Sequence, residues 1–258
     1  MTRFNLLILV FTLLFSCTEK KCETIPFDAA TKNQLLQGWG LGNKLIEEYS
    51  NDIHSDWYID QLKTGRYYAE NCGPTVATMA LKWSDTNLTI TVKEARSTYV
   101  SKGGCWWTSD ITAYLDNHHV YNYISSLKDT EQSLVKELKA GNIAILCVDM
   151  SYIHFIRQKN KHVGKFYKTG NKGWGHFIIV KGYKKVDEKL YFEIYDPYSM
   201  GKKYSNNELK GKNRYYNSAD IKQATNHWWN YAIIVSRRSN NISDTLNKLE
   251  VEHRAALN

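Results

Sequence analysis

The chain has 258 residues, a formal net charge of +8, and 13% aromatic residues that include 18 Tyr and 8 Trp. That aromatic content excludes a disordered chain, and the length suits one domain with a substantial core. Lys and Arg are scattered and build no nucleic-acid module, so nucleic acid is not an expected partner; the charge reads as a solvated basic surface, with anionic membranes or acidic substrates as the other readings.

Residues 1–16 read as a targeting signal. Arg3 is their one charged side chain, and Leu6–Phe15 is an apolar run too short to span a bilayer. The run ends in Leu14-Phe15-Ser16-Cys17. This resembles the bacterial lipoprotein signal, which has an apolar residue three before Cys, a small residue just before it, and Cys as the lipidated site. The resemblance implies lipidation of Cys17 and an exported, membrane-anchored protein; the other reading is an ordinary cleaved signal followed by a chance Cys. Residues 17–50 are expected to be a tether and N-terminal extension, with a short helix somewhere in 29–49. The folded domain is expected over 51–238 and a polar tail over 239–258. Apart from Cys17, the cysteines are Cys22, Cys72, Cys105 and Cys147. Their spacing fits neither a disulfide framework nor a metal cluster, so no metal and no cofactor is implied.

Within the domain, Val76, Met79, Ala80 and Trp83 recur at the spacing of one buried helix face. Pro74 sits where a first turn tolerates it, so this helix is expected to start at or just after Cys72. Further helices are expected over 91–100, after Trp106-Trp107 with Thr108 or Ser109 as cap and Ile111, Tyr114 and Leu115 as buried face, and over 130–139, stopped by Gly141. Expected strands are 121–124, 143–148, 176–183, 190–195 and 229–235, rich in β-branched and aromatic residues. Helices first and strands later imply an α+β fold with an antiparallel sheet.

Three elements carry chemistry. Asn71-Cys72-Gly73-Pro74 opens a helix with a cysteine, where the helix N-terminus favours a thiolate and free N–H groups suit a developing oxyanion. Gly173-Trp174-Gly175-His176 opens a strand with an imidazole; Gly73 is expected to let substrate approach closely, and the two glycines before His176 to leave room beside it. Ile194-Tyr195-Asp196-Pro197 ends a strand with a carboxylate. If those two strands form a hairpin with Tyr183 opposite Lys189, His176 falls opposite Asp196, and the carboxylate would orient the ring.

Together, Gln61, Asn71-Cys72-Gly73-Pro74, Gly175-His176-Phe177 and Asp196-Pro197 resemble the papain-like cysteine peptidase superfamily, specifically its bacteriocin-processing (double-glycine leader) branch, over about residues 57–236. The resemblance implies a papain-like fold and a triad with Cys72 as nucleophile, His176 as general base and acid, and Asp196 as orienter. Gln61 would be the oxyanion amide. Papain has that Gln six residues before its Cys, where this chain has Arg66; Gln61 lies eleven before, and Asn71 or backbone N–H groups are the alternative donors.

Cys105 is the competing nucleophile, Cys147 reads as core, and Trp228-Trp229 packs the last strand or lines a groove. Two Lys-rich loops, 159–172 and 202–214, would favour acidic substrates if they overhang the cleft, and are solvated loops otherwise. The expected function is an exported thiol peptidase acting through an acyl-enzyme on a peptide or cell-wall peptide. The alternatives are a peptidoglycan amidase, endopeptidase or acyl transferase on the same fold, and a surface binding module without activity.

Overall fold

The structure is a computed structural model that describes residues 29–170 and 172–237; the expected signal, Cys17, Cys22 and the tail from 239 lie outside them. The elements in chain order are α1 (Ala29–Trp39), β1 (Leu45–Ser50), α2 (Cys72–Ser84), α3 (Val92–Thr98), α4 (Thr108–Asn117), β2 (Asn122–Ser126), α5 (Thr130–Lys139), β3 (Ile143–Asp149), β4 (Gly175–Val186), β5 (Lys189–Tyr195), β6 (Arg214–Asn217), α6 (Ser218–Trp228) and β7 (Tyr231–Val235). The fold is α+β, as the order of patterns implies. All seven strands join one antiparallel sheet in the order β2-β7-β3-β4-β5-β6, with β1 pairing the far half of β4.

Helices cover both faces of the sheet. On one face Val76, Met79, Ala80 and Trp83 of α2 pack with Ile111, Tyr114 and Leu115 of α4 against Ile145, Phe177, Ile179 and Ile233. On the other, Leu134 and Leu138 of α5 and Ile221 and Ala224 of α6 cover Leu146, Ile178, Val180 and Ile234. Strand alternation divides β3 and β4 between the two cores, which is why β3 is buried at every residue. The expected faces of α2 and α4 are therefore the observed ones.

Several local expectations need correcting. Neither Thr108 nor Ser109 caps α4; its N-cap is Trp107, whose backbone N–H donates to the Asp110 carboxylate at 2.6 Å. Residues 29–50 do not stand off as a tether: α1 inserts Leu36 beside Val186 and Tyr215, and β1 extends the sheet. Strand β6 and helix α6 arise from a stretch, 214–228, for which no element was expected, with Asn217 accepting from the Ala219 N–H to start α6. The β4–β5 hairpin is tighter than the expected five-residue loop. Val186 pairs with Lys189, so only Asp187 and Glu188 turn the chain, and Asp187 has φ +53°. A register shift between Val180 and Gly182 then sets Ile179 opposite Tyr195, so His176 is level with position 198 rather than 196.

Midway along β4, the wholly buried Lys181 bonds Asp52 at 2.7 Å and Glu193 at 2.8 Å and lies over the Tyr195 ring. Removing this cation strands the Glu193 carboxylate inside the fold. Lys181→Ala is expected to cost about 3–5 kcal/mol, seen as a lower urea midpoint at unchanged slope.

Candidate active site

Cys72 is the first residue of α2. Its helix start is fixed from outside the helix. Asn71 is fully buried, and its Oδ1 accepts from the Arg96 guanidinium, with Nε at 2.8 Å. The Asn71 amide nitrogen donates to Thr64 Oγ1 at 2.9 Å, and that hydroxyl donates to the Gln61 carbonyl at 2.6 Å. Sequence reasoning passed over Arg96, because a charged residue on a short helix carries no mark of burial. Gly73 does not make room for substrate: a Cβ there would lie 2.7 Å from the Trp106 Cβ, so its close neighbour is a protein side chain.

His176 and Asp196 meet despite the shifted register. His176 Nε2 lies 2.8 Å from Asp196 Oδ1, and both side chains are buried. The pairing makes Asp196 the diagonal rather than the direct neighbour, within reach across a sheet, while Tyr198 places its ring edge-on to the imidazole, 6.1 Å between centroids. Asp196 has three more donors: the Tyr167 hydroxyl at 2.8 Å, the Tyr216 hydroxyl at 2.6 Å and the Tyr198 backbone N–H at 2.9 Å. Neither tyrosine hydroxyl had a signal in the sequence, since Tyr216 belongs to a strand that was not expected and Tyr167 to a Lys-rich connection. The strand end is held as well. The Tyr58 hydroxyl donates to the Asp196 carbonyl at 2.7 Å, the Gln61 N–H donates to the Pro197 carbonyl at 2.9 Å, and the Asp60 carboxylate accepts from the Met200 and Gly201 N–H groups. Residues 58–61 are thereby strapped to residues 196–201.

Gln61 is buried in a short 3-10 turn. Its Nε2 donates to the Tyr68 carbonyl at 2.9 Å, which uses one of two amide hydrogens, and among the described residues its Oε1 has no partner. Gln61, Cys72 and His176 all line one cleft of about 540 Å³. Five of the eight tryptophans line it too: Trp106, Trp107, Trp174, Trp228 and Trp229. Trp107 is 71% exposed and Trp228 43%, so its rims are open indole. Gly175 seats Trp228 rather than substrate, a Cβ there falling 2.5 Å from the indole. Among the described residues no Lys or Arg lines the cleft. The two Lys-rich loops do not supply one: Lys165 is buried against the Met150 carbonyl and Thr169, and Arg214 is spent on the carbonyls of Lys161, Val163 and Gly164.

Burial opposes charge on every member of the group, and local partners overcome it. For Cys72, burial pushes the thiol up, but the His176 hydrogen bond and charge, with N–H groups of Phe177 and Gly73, bring it below the ordinary thiol value. For His176, burial pushes down, while Asp196 and then Cys72 raise it to about 10. For Asp196, burial pushes up and His176, Tyr216 and Tyr198 hold it below the ordinary carboxylate value. These directions all favour a thiolate beside an imidazolium and a carboxylate. Cys105 stays protonated, raised by burial and by the Cys72 charge, and burial takes Cys147 to about 12.

The sign for stability follows from the raised imidazole. Its contribution is fully present below about pH 6.5, the unfolded value, and is lost as pH rises through about 10. In Asp196→Asn the main cause of the shift is gone. The wild-type advantage over Asp196→Asn in urea midpoint is therefore expected to be largest at pH 6 and to shrink between pH 7 and 10; an advantage constant over that window would show that the imidazole is neutral in the native state.

A family model described as Peptidase_C39-like matches residues 56–224. The crystal structure of a candidate C39-like peptidase from Bacillus anthracis aligns with 76% of this chain and 100% of its own, at 16% identity and a TM-score of 0.46. No curated protein matches the chain.

Proposed function

This chain belongs to the Peptidase_C39-like family, and on that premise we propose that it is a cysteine peptidase whose Cys72, His176 and Asp196 act as nucleophile, acid–base and orienter. The family and the helices packed on an antiparallel sheet fit a papain-like fold. The observation that carries the reading is that His176, held at Nε2 by Asp196 at 2.8 Å, lines one cleft with Cys72 at the start of α2. With Nε2 so committed, Nδ1 is the nitrogen left for the sulfur. The Cys72 thiolate attacks the scissile carbonyl, Nδ1–H protonates the leaving amine, and neutral His176 then draws a proton from the water that releases the acyl group. Gln61 offers its second amide hydrogen to the oxyanion.

The cleft walls favour apolar substrate groups. Indole faces, with Glu70 and no Lys or Arg among the described lining residues, select a peptide segment with apolar or aromatic side chains over a carboxylate-rich cell-wall peptide. The Leu14-Phe15-Ser16-Cys17 pattern supports export and lipid anchoring at Cys17, with the domain held at a membrane surface.

At pH 6, iodoacetamide is expected to modify Cys72 at least tenfold faster than Cys105 or Cys147, and His176→Ala to abolish that excess. Equal slow labelling of all thiols would sink the proposal. Gln61→Ala is expected to lower kcat on a denatured protein about 100-fold while leaving Cys72 alkylation within a few-fold of wild type. Release of fragments from purified cell wall but not from denatured protein would overturn the substrate assignment.

A further inference from the structure

Cys105 takes no part in the proposed reaction, yet it lies in the same cleft as Cys72. The backbone brackets the two cysteines from both sides. Before them, one guanidinium holds both segments: Arg96 Nε bonds Asn71 Oδ1 at 2.8 Å and Nη1 bonds the Gly104 carbonyl at 2.7 Å. The Gly104 N–H also donates to the Glu70 carboxylate at 2.7 Å. After them, a Cβ on Gly73 would fall 2.7 Å from the Trp106 Cβ. The residues just before the two cysteines are thus tied through one guanidinium, and the residues just after them are in close contact. Both cysteines line the cleft, and a disulfide between them requires a Cα separation of about 4.4–6.8 Å. Gly103 and Gly104, at φ +94° and +91°, give the chain before Cys105 a turn with open space beside Gly104.

We propose that Cys72 and Cys105 form a reversible disulfide, a redox modification site that closes the cleft to substrate under peroxide and reopens under dithiol. The inference rests on the reading of Cys72 as the reactive thiolate. The thiolate attacks one oxygen of hydrogen peroxide; the O–O bond breaks, hydroxide leaves, and Cys72 becomes a sulfenic acid. The Cys105 thiol then attacks that sulfur, the S–S bond forms as the S–O bond breaks, and the hydroxyl departs with the Cys105 proton as water. The two sulfurs give up two electrons, and peroxide takes them as it becomes water. A dithiol reverses the step by exchange, leaving both cysteines reduced and itself oxidised. Cys147 lines the same cleft and is the internal control, since it is buried in β3 and strongly protonated.

The test exposes the full chain to hydrogen peroxide, blocks the remaining thiols and maps the tryptic peptides 67–82 and 103–128, which carry Cys72 and Cys105 respectively. A cross-link between these two peptides is expected, with loss of Cys72 alkylation that dithiothreitol restores to at least 80%. In Cys105→Ser, Cys72 should instead pass to sulfinic acid and recover less than 20%. Overoxidation of Cys72 to the same extent in wild type and Cys105→Ser, without a cross-link, would overturn the proposal and leave Cys72 as the reactive thiol. A cross-link to Cys17, Cys22 or Cys147 would overturn it equally. Cys72 inert to both peroxide and pH 6 alkylation would overturn the nucleophile assignment as well.

Discussion

The site depends on a carboxylate that has no contact with solvent. Asp196 is wholly buried, and burial by itself would protonate it and discharge His176 beside it. Four donors prevent this: the imidazole, two tyrosine hydroxyls and the Tyr198 N–H occupy the carboxylate's acceptor sites. Such a group is costly unless every lone pair is matched. The matching partners come from distant parts of the chain, and they make the fold and the site a single structure. Losing β6 would remove Tyr216, and losing the strap at residues 58–61 would free the Asp196 backbone.

From that fixed carboxylate, charge passes outward to the sulfur. An oriented imidazole beside Cys72 outweighs the burial that disfavours a thiolate, and N–H groups at the start of α2 add to it. The same start is tied through Asn71 and Thr64 to the Gln61 backbone, so that nucleophile and proposed oxyanion amide are held by one hydrogen-bonded chain. Arg96 closes that chain from α3. Preorganisation of this kind lets dipoles meet developing charge without moving at the moment of reaction.

Much of this was legible in the sequence where one residue type at one place carries one meaning. The α2 face, the cysteine at its start, the His opening β4 and the Asp closing β5 all follow from period, capping and strand-end logic. The pairing arithmetic was different. It assumed a five-residue loop and no bulge, whereas the turn has two residues and the register slips at Gly182. His176 still reaches Asp196 because a diagonal neighbour on the same face is close enough for a long side chain. Strand β6 and helix α6 were hidden by lysines and tyrosines, whose burial depends on partners far away in sequence. Lys165 and Arg214 show the limit most clearly, as they are buried cations in segments that read as solvated loops. Composition records how many charges a loop has, but where each ends is settled by carbonyls that only the fold assembles.

The glycines flanking the site bear on what the cleft recognises. Gly73 read as an opening for substrate and Gly175 as room beside His176, yet each is filled by a tryptophan, Trp106 against one and Trp228 against the other. The chain gives up side chains at those positions to bring aromatic walls up to the sulfur. Trp106 is fully buried and shapes the wall, whereas Trp107 and Trp228 remain open on its rims. Large apolar rings left in water beside the proposed nucleophile are surface whose burial becomes favourable when a partner covers it. On the proposed function, substrate binding would therefore draw its free energy from the indoles, while the buried His176–Asp196 pair would act mainly in the chemical step, because its hydrogen bonds are already satisfied before substrate arrives.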